Sequence, residues 1–247
     1  MRRQGNTTHL LTVVAVVTIL FASEAAHSQG LAKFGREGVG MGYSMFGTST
    51  LDIDALNSRL KSKGYSGISD GFFSVGGGGH AIINNKVIIG GEGHTLLGDK
   101  VTIEKYESSV TVGYGFFNLG YILYSLNQLR LYPLLGIGGG VMNLKIREKP
   151  VSLSFDDVLD DPEKSVELST SGFLMSFAVG MDYLLLLGGD ESGRGGLVFG
   201  FRAGYTLSPF KSGWQLDEKE ISDAPEMGIT GPFIRMTFGG GGYNIRK

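Results

Sequence analysis

From Leu168 to Phe238 the chain repeatedly sets bulky apolar residues on alternate positions, with small or polar residues between them. Phe173, Met175, Phe177, Val179, Met181 and Tyr183 form the first such series. Gly172, Ser176, Ala178, Gly180 and Asp182 lie between, with Leu174 the one large exception. A period of two marks a strand, because successive side chains leave a pleated backbone on opposite faces. The pattern returns twice. Leu197, Phe199, Phe201, Tyr205 and Leu207 alternate with Gly200, Arg202, Gly204 and Thr206. Ile234, Met236 and Phe238 alternate with Phe233, Arg235, Thr237 and Gly239.

Earlier in the chain, residues 38–48 form a first strand with Val39, Met41, Tyr43 and Met45 on one face. Gly38, Gly40, Gly42 and Ser44 take the other. Residues 51–63 read as a short helix in a loop: Ile53, Leu56 and Leu60 fall at helical spacing, Thr50 can cap the start and Gly64 suits the end. Strands at 72–83 and 86–97 make a hairpin turning at Asn84-Asn85, two residues that tolerate positive φ. The fourth strand, 107–124, and the fifth, 130–147, each switch parity midway. Val110, Val112, Tyr114 and Phe116 give way to Phe117, Leu119, Tyr121 and Leu123. Leu131, Pro133, Leu135 and Ile137 give way to Met142, Leu144 and Ile146. A β-bulge in each strand would bring both sets to one face. The dense glycines of the hairpin, 76–79 with 90, 91 and 93, suit the curvature by which a small barrel closes.

Eight strands of this kind specify an all-β fold: a closed eight-stranded antiparallel transmembrane β-barrel, with a short helix in the first long loop. Bulky apolar residues then face lipid, and the narrow interior takes the small and charged ones. Phe173, Met175, Phe177, Val179, Phe199, Phe201, Ile234 and Met236 are the expected lipid-facing positions. Connections at 84–85, 125–129 and 188–195 are short or moderate, those at 49–70, 148–167 and 209–230 are long, and 98–106 is intermediate. Short periplasmic turns and longer extracellular loops place both mature termini in the periplasm.

The N-terminus supplies an export signal. Arg2 and Arg3 precede an apolar stretch from Leu10 to Ala22, and Ala26-His27-Ser28 predicts cleavage before Gln29. Residues 1–28 are read as a signal peptide and 29–247 as one outer-membrane barrel domain of a Gram-negative cell envelope. The densest later apolar run, Tyr183 to Leu187, is far shorter than the ~20 residues of a spanning helix. Removing residues 1–28 takes away Arg2, Arg3 and Glu24 and leaves a formal charge of −3, so no basic surplus points to nucleic acid. Cysteine is absent, which excludes disulfides and thiolate chemistry.

The export signal, the eight alternating strands and the loop asymmetry together resemble the small OmpA/OmpX/OmpW-type barrels. The likeness covers nearly the whole mature chain and is one of architecture. Such barrels often end in an aromatic assembly signal, whereas this chain ends Tyr243-Asn244-Ile245-Arg246-Lys247.

The inward parity of the last three strands carries Asp182, Arg202 and Arg235; with Glu92 and His94 of the hairpin also inward, the lumen holds a polar network. Such charges are costly to bury unless paired, and an arginine fork can engage two carboxylate oxygens. A turn at Asn84-Asn85 sets His94 opposite Val75. It puts His80 near Ile89 on the other face and Ser74 at opposite parity to His94, so no serine–histidine pair is formed. No catalytic residue is assigned. The acidic loop bearing Asp156, Asp157, Asp160 and Asp161 is a candidate cation-binding loop, although its spacing is not that of an EF-hand. No metal site or cofactor is otherwise expected. The glycine clusters lack the residues of a nucleotide loop. Trp214 and Phe210 read as part of an interfacial aromatic girdle.

The expected role is structural or one of surface interaction, without enzymatic activity, for a monomer whose partners are outer-membrane lipid and an extracellular ligand of the long loops. Three alternatives stand beside it: a narrow, porin-like channel for small or apolar solutes, a lipid-modifying enzyme, and a soluble periplasmic lipid-binding barrel. The last requires the bulky face to point inward.

Overall fold

The computed structural model describes residues 37–103, 106–148, 165–190, 193–216 and 219–245. The signal segment and the acidic loop with Asp156, Asp157, Asp160 and Asp161 lie outside the described residues. In chain order the elements are β1 (Glu37–Thr50), α1 (Asp54–Ser62), β2 (Gly71–Ile83), β3 (Val87–Leu97), β4 (Val101–Ile103), β5 (Tyr106–Tyr121) and β6 (Tyr124–Leu126). There follow β7 (Leu129–Glu148), β8 (Ser165–Asp190), β9 (Gly193–Lys211), β10 (Gln215–Leu216), β11 (Lys219–Glu220) and β12 (Gly231–Ile245).

Eight of the strands form an antiparallel ring. The pairing runs β1–β2–β3–β5–β7–β8–β9–β12, and β12 returns to β1 through a register that includes Gly42↔Gly240 and Gly47↔Arg235. The ring leaves none of these eight strands with an unpaired side, which removes the edges of an open sheet. The turns β2–β3 and β5–β7 and the hairpin β8–β9 lie at the end where β1 starts and β12 finishes. α1, β4, β10 and β11 lie at the other, where β7 ends and β8 starts. We call these the turn end and the loop end.

On β8, β9 and β12 the alternation places bulk outside. Phe173, Phe177 and Phe199 are 42%, 47% and 43% exposed. Val179, Phe201, Ile234 and Met236 are exposed as well, and Met175 is half-buried. These side chains do not gather in an interior core.

The other half of the wall reverses this. Val39, Met41, Tyr43 and Met45 of β1 are buried and fill the lumen, as are Val110, Val112, Tyr114 and Phe116 of β5. The anticipated β-bulges in β5 and β7 are not formed; β5 keeps an unbroken register with both neighbours. Phe117, Leu119 and Tyr121 therefore face out while the loop-end half of β5 turns its bulk inward. In β7, Leu131, Leu135 and Ile137 are exposed, whereas Met142 and Leu144 are buried. The parity switch marks a change in which face carries the bulk, not a kink in the strand. Register shifts occur instead between β8 and β9, at Phe173/Met175 and Leu186/Gly188.

The β2–β3 register also differs from expectation. Asn84 and Asn85 take φ of 52° and 56°, but Lys86 belongs to the loop as well, and Ile83 pairs with Val87. His94 therefore stands opposite Gly76 and not Val75, and His80 opposite Gly90 and not Ile89. A one-residue slip moves every side chain of a strand to the other face. His80 and Ser74 thus share the inward face with His94.

The loop end is capped from within. Leu56 and Leu60 of α1 are buried with Ile53, as the helical spacing predicts. Thr50 does not cap the helix; Ile53 occupies the N-cap without a side-chain hydrogen bond, and Gly64 follows the C-cap at φ 84°. Asn57 clamps the connection onward by donating Nδ2 to the Ile68 carbonyl (2.9 Å) and accepting from the Ile68 amide (2.7 Å). Trp214 is not at a membrane interface: it is buried among α1 residues, Met227 and Ile229, and its Nε1 donates to the Pro225 carbonyl at 2.9 Å. Phe210 remains exposed.

Candidate functional site: a buried ionic layer

Two apolar clusters occupy the ends of the lumen. Val39, Met41, Ile82, Ile88, Leu134, Leu184 and Val198 belong to the one at the turn end. The other, at the loop end, joins Phe72, Leu96, Val112, Phe116, Met142 and Leu174 to the α1 cap. Between them lies a layer of charged and aromatic side chains to which all eight strands of the ring contribute.

Glu92 is its centre. Arg202 Nη1 donates to Glu92 Oε2 at 2.7 Å, while Glu92 Oε1 stands 3.3 Å from His94 Nε2 and 3.6 Å from Arg235 Nη1. Arg235 Nη1 is 3.2 Å from His94 Nε2, and its Nη2 donates to the Tyr114 hydroxyl. The Arg235 guanidinium lies 3.8 Å over the Phe233 ring and that of Arg202 4.7 Å over Tyr43, geometries in which a ring's negative face attracts the cation. Arg202 and Arg235 are each 1% exposed, so both charges depend on these contacts.

A second group adjoins the first through Arg202, whose Nη2 is 3.3 Å from His80 Nδ1. The same His80 atom is 3.2 Å from the Tyr43 hydroxyl, and His80 Nε2 is 3.7 Å from Asp182 Oδ2. Tyr132 donates to Asp182 Oδ2 at 2.6 Å, and Arg130 is the register partner of Asp182 across β7–β8. Two carboxylates thus meet three buried guanidinium groups.

Glycines opposite the large groups make the space. A Cβ on Gly76 would stand 2.3 Å from His94 Nδ1. One on Gly180 would lie 2.4 Å from the Tyr132 ring, and one on Gly200 2.1 Å from Asp182 Oδ1. Each large side chain therefore needs a missing one across the register.

The structure brings Glu92, His94, Asp182, Arg202 and Arg235 into one layer. Sequence reasoning did not include His80, Arg130, Tyr43, Tyr114 and Tyr132. Arg130 and Tyr132 carried a usable signal, since their parity is opposite to that of Leu131 and Leu135. Ser74, which stood at the wrong parity under the slipped register, is buried on the same face as His94, away from any exposed rim. Among the described residues no group of three His, Asp or Glu side chains is placed to hold a metal ion.

No family model matches the chain, and no curated protein matches its sequence. Similar solved structures include Ail, the attachment invasion locus protein of Yersinia pestis, at 13% identity, 84% of this chain, 97% of that chain and TM-score 0.37. Neisserial surface protein A is similar at 10% identity, 86% of this chain, 98% of that chain and TM-score 0.35. Ail in complex with the heparin analogue sucrose octasulfate gives 12% identity, 84% of this chain, 97% of that chain and TM-score 0.37.

Proposed function

We propose that the protein is an integral outer-membrane β-barrel with a lumen closed by side chains, serving a structural or surface-interaction role through its loop end. The observation that carries this is the inversion between the two faces of β8, β9 and β12. Aromatic and aliphatic side chains stand exposed outside while ion pairs are sealed within. A soluble protein of this size rarely exposes so much contiguous apolar surface, whereas a barrel in lipid requires it. Phe173, Met175, Phe177, Val179, Phe199, Phe201, Ile234 and Met236 then contact acyl chains. The clustering of termini with the short turns supports a periplasmic turn end and an extracellular loop end. The closed ring, with no free strand edge among its eight strands, supports a monomer.

In this reading the layer around Glu92 is a plug. Eight-stranded barrels have an interior just wide enough for side chains to fill, and apolar clusters stand on both sides of the ionic layer. Membranes bearing the protein should retain it through carbonate and urea extraction, and planar bilayers should show no conductance steps. Release into the soluble fraction would overturn the membrane assignment, and discrete steps would overturn the plug.

A further inference from the structure

The loop-end cap forms one side of a solvent-open cavity that the ionic layer does not use. It has a volume of about 240 Å³ and lies between α1, the loop-end parts of β7 and β8, Trp214 and residues 221–225. Leu60, Tyr65, Ile146, Leu168, Trp214 and Ala224 supply most of its apolar wall. Three charged residues also line it: Arg59, Lys63 and Asp223. Arg59 Nη2 donates to the Asp223 backbone carbonyl at 3.1 Å, a contact that orients the guanidinium without neutralising it. Among the described residues neither Arg59 nor Lys63 makes an ion pair.

We propose that this cavity binds an amphiphilic anion, its aliphatic tail seated against Trp214 and its head group held by Arg59 and Lys63. The wall offers water few hydrogen-bond partners, and a space of this kind favours apolar groups. At about 30 Å³ for each water-sized group, the volume holds a tail of roughly eight carbons. The two cations outnumber the one carboxylate at the rim, so the head is an anion. A carboxylate or a sulfate presents a pair of oxygens to the fork of Arg59. The proposal stands on the cavity and its rim and does not depend on the lumen being plugged.

Trp214 is the only tryptophan of the chain, so its emission reports this site alone. Protein in lipid nanodiscs is titrated with 8-bromooctanoate, whose bromine quenches tryptophan on contact, and in parallel with the uncharged 8-bromooctan-1-ol. The expected result is saturable quenching by the carboxylate, with half-saturation at least tenfold lower than for the alcohol. The double variant R59Q/K63Q should raise the carboxylate's half-saturation at least tenfold, and A224F, which fills the cavity, should abolish saturable quenching. Both Arg59 and Lys63 are exposed, so R59Q/K63Q keeps the test decisive even if A224F does not fold. Quenching without saturation, equal behaviour of acid and alcohol, or an R59Q/K63Q titration matching the unsubstituted protein would each overturn the proposal. Membrane retention is scored separately and is unaffected by any of these outcomes.

Discussion

Replacing Arg202 by methionine tests the ionic layer most directly, because the change keeps an apolar stem of similar reach and removes only the charged fork. Glu92 Oε2 loses its 2.7 Å donor, and the carboxylate is left with His94 at 3.3 Å and Arg235 at 3.6 Å, both on the other oxygen. Removing one partner of a buried ion pair costs about 3–5 kcal/mol, chiefly as the uncompensated charge left behind. The lost contact with the Tyr43 ring acts in the same direction, by up to about 2 kcal/mol where desolvated, and overlaps with the first effect. We take about 4 kcal/mol for the whole. With a denaturant slope of about 2 kcal/mol/M, R202M should lower the urea midpoint by about 2 M. The assay is urea titration of vesicle-reconstituted protein, followed by the gel mobility of folded and unfolded forms. Neutralising the stranded carboxylate in R202M/E92Q should recover part of the loss, at least about 1 kcal/mol. A shift below about 1 kcal/mol would show that Glu92 does not rely on Arg202. An unchanged midpoint with new conductance steps would mean that Arg202 gates a path instead of sealing it.

Gly200→Ala should cost about 1–3 kcal/mol, because its Cβ would meet Asp182 Oδ1 and Thr237 Oγ1 at 2.1 and 2.2 Å. Gly113→Ala, where nothing lies within 4 Å, should stay within about 0.5 kcal/mol, and equal losses in the two would refute the space argument. Phe177→Lys should destabilise the protein in bilayers by about 2–4 kcal/mol if its position faces the hydrocarbon; an unchanged urea midpoint would deny that contact. Asn84→Val should cost about 1–2 kcal/mol, since φ of 52° suits asparagine and not a β-branched residue, and refolding yield with urea midpoint would measure it.

The strands with one bulky and one small face were legible because each side of β8 and β9 meets a different environment along most of its length. The strands β5 and β7 were harder. Their bulk lies inside near the loop end and outside near the turn end, so the parity switch reads equally well as a bulge. The hairpin register turned on Lys86 alone: periodicity does not show whether a tight turn uses two residues or three, yet that choice decides which face His80 takes. The cap was least legible. Trp214 carries no local sign of burial, and its environment is assembled from α1, β7, β8 and residues 221–229, which only the closed ring brings together.

The ionic layer also bears on how the cylinder closes. Glu92 comes from β3, whereas Arg202 and Arg235 come from β9 and β12, with 110 positions separating Glu92 from Arg202 and 141 separating His94 from Arg235. An incomplete ring therefore holds a stranded anion on its first-made portion and stranded cations on its last. Slipping β12 by one residue against both β9 and β1 would turn Arg235 to the outer face and take one guanidinium away from Glu92. Opposite charges on the two halves thus favour the one alignment in which both partners meet.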